Sequence, residues 1–217
     1  GFLAQRKRVE EMRQKYPSAP GARPRTFFSS FTEGLQFICD RMADAAGREH
    51  IRTGVSATAV ARDGERWRVA LSSGEALEAD AVIVATEVWA AAELATGVDG
   101  ALAERLGTIP SSSCATALLA FDEADCPFDK RWHGILTPAV EHRPLTGVSL
   151  MSAKWPDRAP EGTVLIRGFL GGPRDEAVLE QGDEALLELA RTQLTELTGL
   201  KPDAHPRYAK LFRWEKG

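Results

Sequence analysis

At 217 residues the chain has room for one large domain or two small ones, and an apolar content of 43% is enough for a sizeable core. A formal net charge of −4, with Lys and Arg scattered and outnumbered by Asp and Glu, excludes a basic face for nucleic acid. Cys39, Cys114 and Cys126 lack CxxC spacing and read as reduced thiols of a cytoplasmic protein, not a disulfide frame or zinc site.

Residues 4–16, "AQRKRVEEMRQKY", predict a solvated helix with opposite charges at Arg6/Glu10 and Glu11/Lys15, four residues apart. Pro17, Pro20, Gly21 and Pro24 then break it into a linker. A second helix is expected over 31–46, with Thr32 as N-cap, an apolar face of Leu35, Ile38, Cys39 and Met42, and Gly47 as its stop. Four strand-like pieces follow: "IRTG", "SATAVARDG", "RWRVALSSG" and "ADAVIVAT". Asp63-Gly64 and Ser73-Gly74 mark turns, so the pattern is a β-meander. The run Ala81–Ala85 is apolar on both faces, as in a strand buried between layers.

Two short helices come next, "EVWAAAELATG" and "ALAERLGTIP". "SCATALLAFDE", "HGILTPAV", "LTGVSLMSAKW" and "GTVLIRGFLGG" read as strands. The clearest helix is "DEALLELARTQLTELTG", striped by Leu186, Leu189, Ala190, Leu194 and Leu197 and ended by Gly199. "YAKLFRW" is the last strand. Along "VLIRGFL" a period of two puts Leu165, Arg167 and Phe169 on one face. No apolar run approaches the roughly 18 residues of a membrane span, and the opening residues do not read as a signal peptide.

A search for self-contained chemistry finds little. His50, His133, His142 and His205 are dispersed with no HxH or HExxH spacing, so no metal site is expected. There is no nucleophile elbow. "GFLGGP" is glycine-rich but is not GxGxxG.

Longer stretches read together carry more. "SSFTEGLQFICDRMADAAG", then the meander, then "EADAVIVAT" resembles the middle of the FAD-dependent amine oxidase and protoporphyrinogen oxidase superfamily. "LTGVSLMSAKWPDRAPEGTVLIRGFLGG" is similar to a protoporphyrinogen oxidase stretch through Gly147, Ser152, Pro156, Arg158, Ala159, Pro160, Gly162, Leu165, Gly171 and Gly172. "LFRWEKG" resembles the segment that returns toward the flavin.

The resemblance implies an internal piece of such an enzyme, without the dinucleotide fingerprint that cradles the pyrophosphate. FAD is implied for the longer protein and is not expected to stay on this piece alone. The implied fold is α/β (α+β): a mixed β-sheet substrate-binding domain with packed helices, plus a partial FAD-domain β-meander. Residues 1–24 would be helix and linker, 25–88 the partial FAD-binding domain, 89–208 the tetrapyrrole-binding domain, and 209–217 a strand returning to the FAD domain.

Site residues follow from the same resemblance. Ala57 falls where the family contacts the FAD adenine through its backbone, with Ala in place of the usual Val. Trp214 matches a tryptophan near the isoalloxazine. Leu136, in "HGILTP", and Phe169 match pocket positions, and Ile135 is assigned beside them. Arg167 stands where the family more often has an uncharged residue; strand alternation puts it on the face of Phe169, where it would hold a substrate propionate, the alternative being an Arg that snorkels from a sheet edge or pairs with a nearby Asp or Glu. The implied reaction is dehydrogenation of protoporphyrinogen IX, or of coproporphyrinogen III, with oxygen as acceptor. The flavin carries the hard step, so no catalytic residue is assigned to this chain. A phytoene desaturase or amine oxidase relative, and a non-enzymatic binding domain, are the other readings. A homodimer and peripheral attachment to the cytoplasmic membrane are left open.

Overall fold

The structure, a computed structural model, describes residues 11, 30–155 and 157–216. Apart from Glu11, which is helical, the expected first helix and its linker lie outside the described residues. The chain divides into two compact units, Gly1–Val55 and Ser56–Gly217.

In the first unit, α1 spans Gln36–Ala46. It starts later than expected. Gly34 turns the chain at a φ of 101°, and Leu35 occupies the N-cap position with no side-chain cap, so Thr32 does not serve. The helix stops where expected, at Gly47 with a φ of 84°. The predicted apolar face is not buried, since Leu35 and Met42 are 66% and 65% exposed. Asp44 and Arg48 close the helix with an ion pair of 2.6 Å.

The second unit opens on a three-stranded antiparallel meander of β1 (Ala57–Asp63), β2 (Arg66–Leu71) and β3 (Ala76–Ala79). The turn glycines Gly64 and Gly74 adopt φ values of 61° and 88°, which L side chains disfavour. Two expected strands are absent. Ile51–Gly54 is not a strand, and the third strand of the meander is Ala76–Ala79 instead of the apolar run after it. Ala81–Ala85 pairs with no described strand, and Ile83 is 91% exposed. An apolar run is buried only where another layer covers it, and here Val82 is half-buried while Ile83 and Val84 stay exposed.

Helices α2 (Val88–Ala95) and α3 (Gly100–Gly107) follow, the second capped by the Asp99 carboxylate, which accepts from the N–H groups of Ala101 and Leu102. Then comes a five-stranded sheet of β4 (Cys114–Asp122), β5 (Gly134–Leu136), β6 (Leu145–Leu150), β7 (Thr163–Gly171) and β8 (Tyr208–Trp214). Its order is β5-β6-β7-β4-β8. β6 is shorter than expected, because Met151–Lys154 coils into the single-turn helix α4. The Ser152 hydroxyl then accepts the Leu165 N–H at 2.6 Å, taking over where the ladder ends.

The longest helix, α5 (Asp183–Thr198), connects β7 to β8 and ends at Gly199 with a φ of 76°. The α and β content is as expected, but the sheet is antiparallel throughout, not mixed. The reason is topological. β7 and β8 run parallel and are joined by a helical crossover, yet β4 inserts between them antiparallel to both. β8 is hydrogen-bonded along β4, so the segment expected as a separate return, 209–217, contributes a full strand to this sheet.

One face of the sheet is closed. Ala115, Ala117, Phe121, Leu145, Leu150 and Ile166 from the strands meet Leu186, Ala190 and Leu194 of α5, all at 0% exposure. Gly168 on β7 is required for this packing, since a Cβ there would lie 2.9 Å from Leu145 Cδ2. The alternation along β7, with Val164, Ile166 and Leu170 buried and Leu165, Arg167 and Phe169 half-buried, leaves the second set on the opposite face.

Candidate substrate face

In an antiparallel sheet, residues directly opposite one another emerge on the same face. The register therefore lays out the open face row by row. Leu136 of β5 pairs with Gly147 of β6, Gly147 with Phe169 of β7, Phe169 with Thr116 of β4, and Thr116 with Phe212 of β8. This row is mostly apolar. Gly147 is its low point: a Cβ there would meet Leu136 Cδ2 at 3.4 Å and Phe169 Cδ2 at 3.7 Å. The missing side chain leaves a groove between Leu136 and Phe169, part of a cleft of about 420 Å³ that reaches Cys114, Pro173 and Arg174.

The next row is Ser149, Arg167, Leu118 and Lys210. The Arg167 guanidinium lies over the Phe169 ring, 4.9 Å from its centroid. Its Nε is buried and has no hydrogen-bond partner among the described residues. Arg174 Nη1 donates to the Thr137 carbonyl at 2.9 Å, which holds it at the edge of the cleft.

At the end of the sheet, Trp214 pairs with Cys114 and is 54% exposed. It borders a second cleft of about 500 Å³ with Glu176, Leu179, Arg213 and Lys216. Arg213, on the covered side of β8, is fastened by Asp183 at 2.8 Å and by the carbonyls of Leu179 and Gln181, both at 2.6 Å. Glu176 accepts the Ser113 N–H at 2.5 Å. Hydrogen bonds from Ser113, through its side chain and then its backbone, hold the Glu176 carboxyl below the usual carboxylate range.

Leu136, Phe169 and Arg167 are thus brought together on one face. Ile135 is not: it packs against the core cluster on the other side of the sheet, because it alternates with Leu136. Ala57 is the exposed first residue of β1, on the meander, where a register irregularity separates it from Ala59. Sequence reasoning missed Lys210, Phe212 and Arg174. The alternation in "YAKLFRW" already put Lys210 and Phe212 on the side of Trp214; what it lacked was the pairing of this strand with β4.

The arrangement is an α+β fold whose five-stranded antiparallel sheet is closed by a helix on one face and open on the other. The profile of the flavin containing amine oxidoreductases matches residues 4–216, and the chain belongs to that family. The coproporphyrinogen III oxidase of Propionibacterium freudenreichii subsp. freudenreichii is 30% identical over 204 residues, covering 91% of this chain and 36% of that protein. The coproporphyrinogen III oxidase of Staphylococcus aureus (strain NCTC 8325 / PS 47) is 27% identical over 205 residues, covering 94% of this chain and 43% of that protein. Among solved structures, a candidate protoporphyrinogen oxidase from Exiguobacterium sp. 255-15 superposes with a TM-score of 0.75 at 22% identity, over 90% of this chain and 42% of that one. Reduced UDP-galactopyranose mutase does so with a TM-score of 0.67 at 16% identity, over 85% of this chain and 39% of that one. At these identities the structural likenesses establish the fold. The chain spans 36% to 43% of the length of these relatives.

Proposed function

We propose that the chain is the substrate-binding part of an FAD-dependent porphyrinogen oxidase. The observation that carries this reading is the open sheet face: an apolar groove at Gly147 between Leu136 and Phe169, with an unpaired arginine stacked on Phe169. A flexible macrocycle with apolar pyrroles and acidic tails suits such a face, apolar surface under the rings and a cation under a tail.

In this reading Leu136 and Phe169 flank the tetrapyrrole, and Arg167 orients it through one propionate. Trp214 presents an exposed ring at the cleft beside Cys114, and Ala57 an exposed strand end with an irregular register. Both fit contacts to a flavin in type, a flat ring for a flat ring and free backbone for the adenine. The chemistry a bound flavin supplies is two-electron oxidation of a carbon bridge. Residues 25–88 serve the cofactor and 89–208 the substrate. Six hydrogen atoms leave the porphyrinogen in three two-electron steps, and oxygen accepts them.

Protoporphyrinogen IX is the first substrate reading. Coproporphyrinogen III is the second, favoured by the names of the curated relatives. Purified full-length parent is to be given each porphyrinogen in turn, with porphyrin fluorescence and oxygen uptake recorded. Porphyrin is expected from one or both, and its absence with both substrates overturns the reading.

A further inference from the structure

Two cations on the open face have no hydrogen-bonding or ionic partner among the described residues. Arg167 on β7 and Lys210 on β8 are both in register with Leu118 of β4, one on each side. Strands lie about 4.8 Å apart, so the two positions are roughly 10 Å apart on the same face. Each cation leans along its own strand onto the aromatic ring two residues on. Arg167 Cζ sits 4.9 Å from the Phe169 centroid, and Lys210 Nζ sits 4.9 Å from the Phe212 centroid. Both rings are in register with Thr116. The same cation-on-ring pair therefore occurs twice, on the two sides of β4.

Among the described residues, neither cation has a hydrogen bond or an ion pair. The Arg167 Nε is buried without a partner, and a ring face does not replace the in-plane acceptor that this N–H needs. A third cation stands beside Arg167. Lys154 Nζ donates to the Ser149 hydroxyl at 3.0 Å, and Ser149 is in register with Arg167. No carboxylate among the described residues forms an ion pair with any of the three. Arg167 and Lys154 are half-buried and Lys210 is exposed; half-buried charge is ordinarily matched by an opposite charge, so the Arg167 end of the row calls for an anion from outside it, with Lys210 in reach of the same ligand.

We infer that Arg167 and Lys210 form a two-point clamp for one ligand bearing two carboxylates about 10 Å apart. The planar fork of Arg167 takes one carboxylate and the point charge of Lys210 takes the other. The apolar body of the ligand lies on the Phe169–Thr116–Phe212 row. This rests on the porphyrinogen reading and deepens it: the substrate is held by two propionates on one edge, and Lys210 sets its lateral position. Neither side chain donates a hydrogen bond within the described fold, so replacing either removes no internal contact of that kind.

The test uses the full-length parent, with Arg167→Gln, Lys210→Gln, the double variant and Lys210→Arg. Arg167→Gln is expected to raise KM for the free-acid porphyrinogen about tenfold or more, as for a charged hydrogen bond. Lys210→Gln, at an exposed site, is expected to raise it about threefold. The two effects should multiply in the double variant, kcat should hold, and Lys210→Arg should keep the wild-type KM. With the substrate esterified at its propionates, wild type and double variant should share one KM, which a merely structural role does not produce. An unchanged KM in Lys210→Gln, while the parent still makes porphyrin, overturns the clamp and leaves the functional reading standing. A wild-type parent that oxidises no porphyrinogen overturns both.

Discussion

The two sheets of the second unit share a strand grammar and differ in what covers them. In the five-stranded sheet the residues that alternate inward on β4 and β7 reach exposures of 0–3%, because α5 lies across them. In the three-stranded meander the alternation is weaker: Val60 is the buried apolar residue, at 4%, and Trp67 and Val69 of β2 are half-buried. Val60 is covered where the chain at Gly97 comes so close that a Cβ there would lie 2.5 Å from the Val60 carbonyl oxygen. Alternation specifies which face can be buried, and a second layer decides whether it is.

The largest expected effects probe this difference directly. Leu186→Ala removes a side chain at 0% exposure from the centre of the α5 contact and is expected to cost about 2–5 kcal/mol in denaturant unfolding. Leu77→Ala on β3, at 38% exposure, is expected to cost about 0.5 kcal/mol or less. Equal losses would mean that the meander is buried in solution after all. Amide exchange gives the same contrast at backbone level. Val164–Ile166 should exchange only by opening of the sheet, whereas Val82–Val84, outside any described ladder, should exchange by local fluctuation. Comparable protection of the two segments in a dilute monomer would remove the distinction.

A smaller effect comes from the edge of the same core. Cys126 is 2% exposed, and burial pushes its thiol from the ordinary 9.0 up to about 11, with nearby Asp125, Glu123 and Asp122 adding to the rise against Lys130. The unfolded thiol ionises first as pH rises, so the unfolded state binds fewer protons between these values. Stability should be intact below pH 9.0 and fall by on the order of 2–3 kcal/mol as pH approaches about 11. Cys126→Ala should flatten this slope in denaturant midpoints measured across that window. A slope that persists in the variant would assign it to other groups.

Much of the larger sheet was legible in sequence. The period-two runs gave β4, β7 and β8 nearly to the residue, and the stripe of Leu186, Ala190 and Leu194 gave α5. The errors fall where a local pattern needed a distant partner. Ala81–Ala85 has the composition of a buried strand, but composition does not supply a neighbour. "LTGVSLMSAKW" reads as one strand because Met151–Lys154 carries no helix stop or start of its own; only the Ser152–Leu165 contact, set by the adjacent strand, shows why the ladder ends there. The same holds for the site. Arg167 and Phe169 were placed on one face by alternation, whereas their partnership with Lys210 and Phe212 depended on β8 lying beside β4, a pairing between residues some ninety positions apart.

Arg167 carries the comparison to the uncovered face. Core residues of the sheet are fixed by packing and should reveal themselves through stability; Arg167, with an unsatisfied Nε and no internal ion pair among the described residues, should not. Arg167→Ala removes a buried polar group that the fold leaves unpaired, so unfolding free energy should stay the same or rise. Its cost should appear in binding instead. If the guanidinium holds a propionate, the full-length parent carrying Arg167→Ala loses an interaction present equally in the ground and transition states, and KM rises with kcat little changed. The expected loss is about 1.5–3 kcal/mol for a hydrogen bond to a charged group, and less where water reaches the pair. Steady-state kinetics and denaturant unfolding on the same variant separate the two roles. Loss of stability with unchanged kcat/KM would make Arg167 a packing residue like its neighbours on the closed face, and would leave the open face without its anchor.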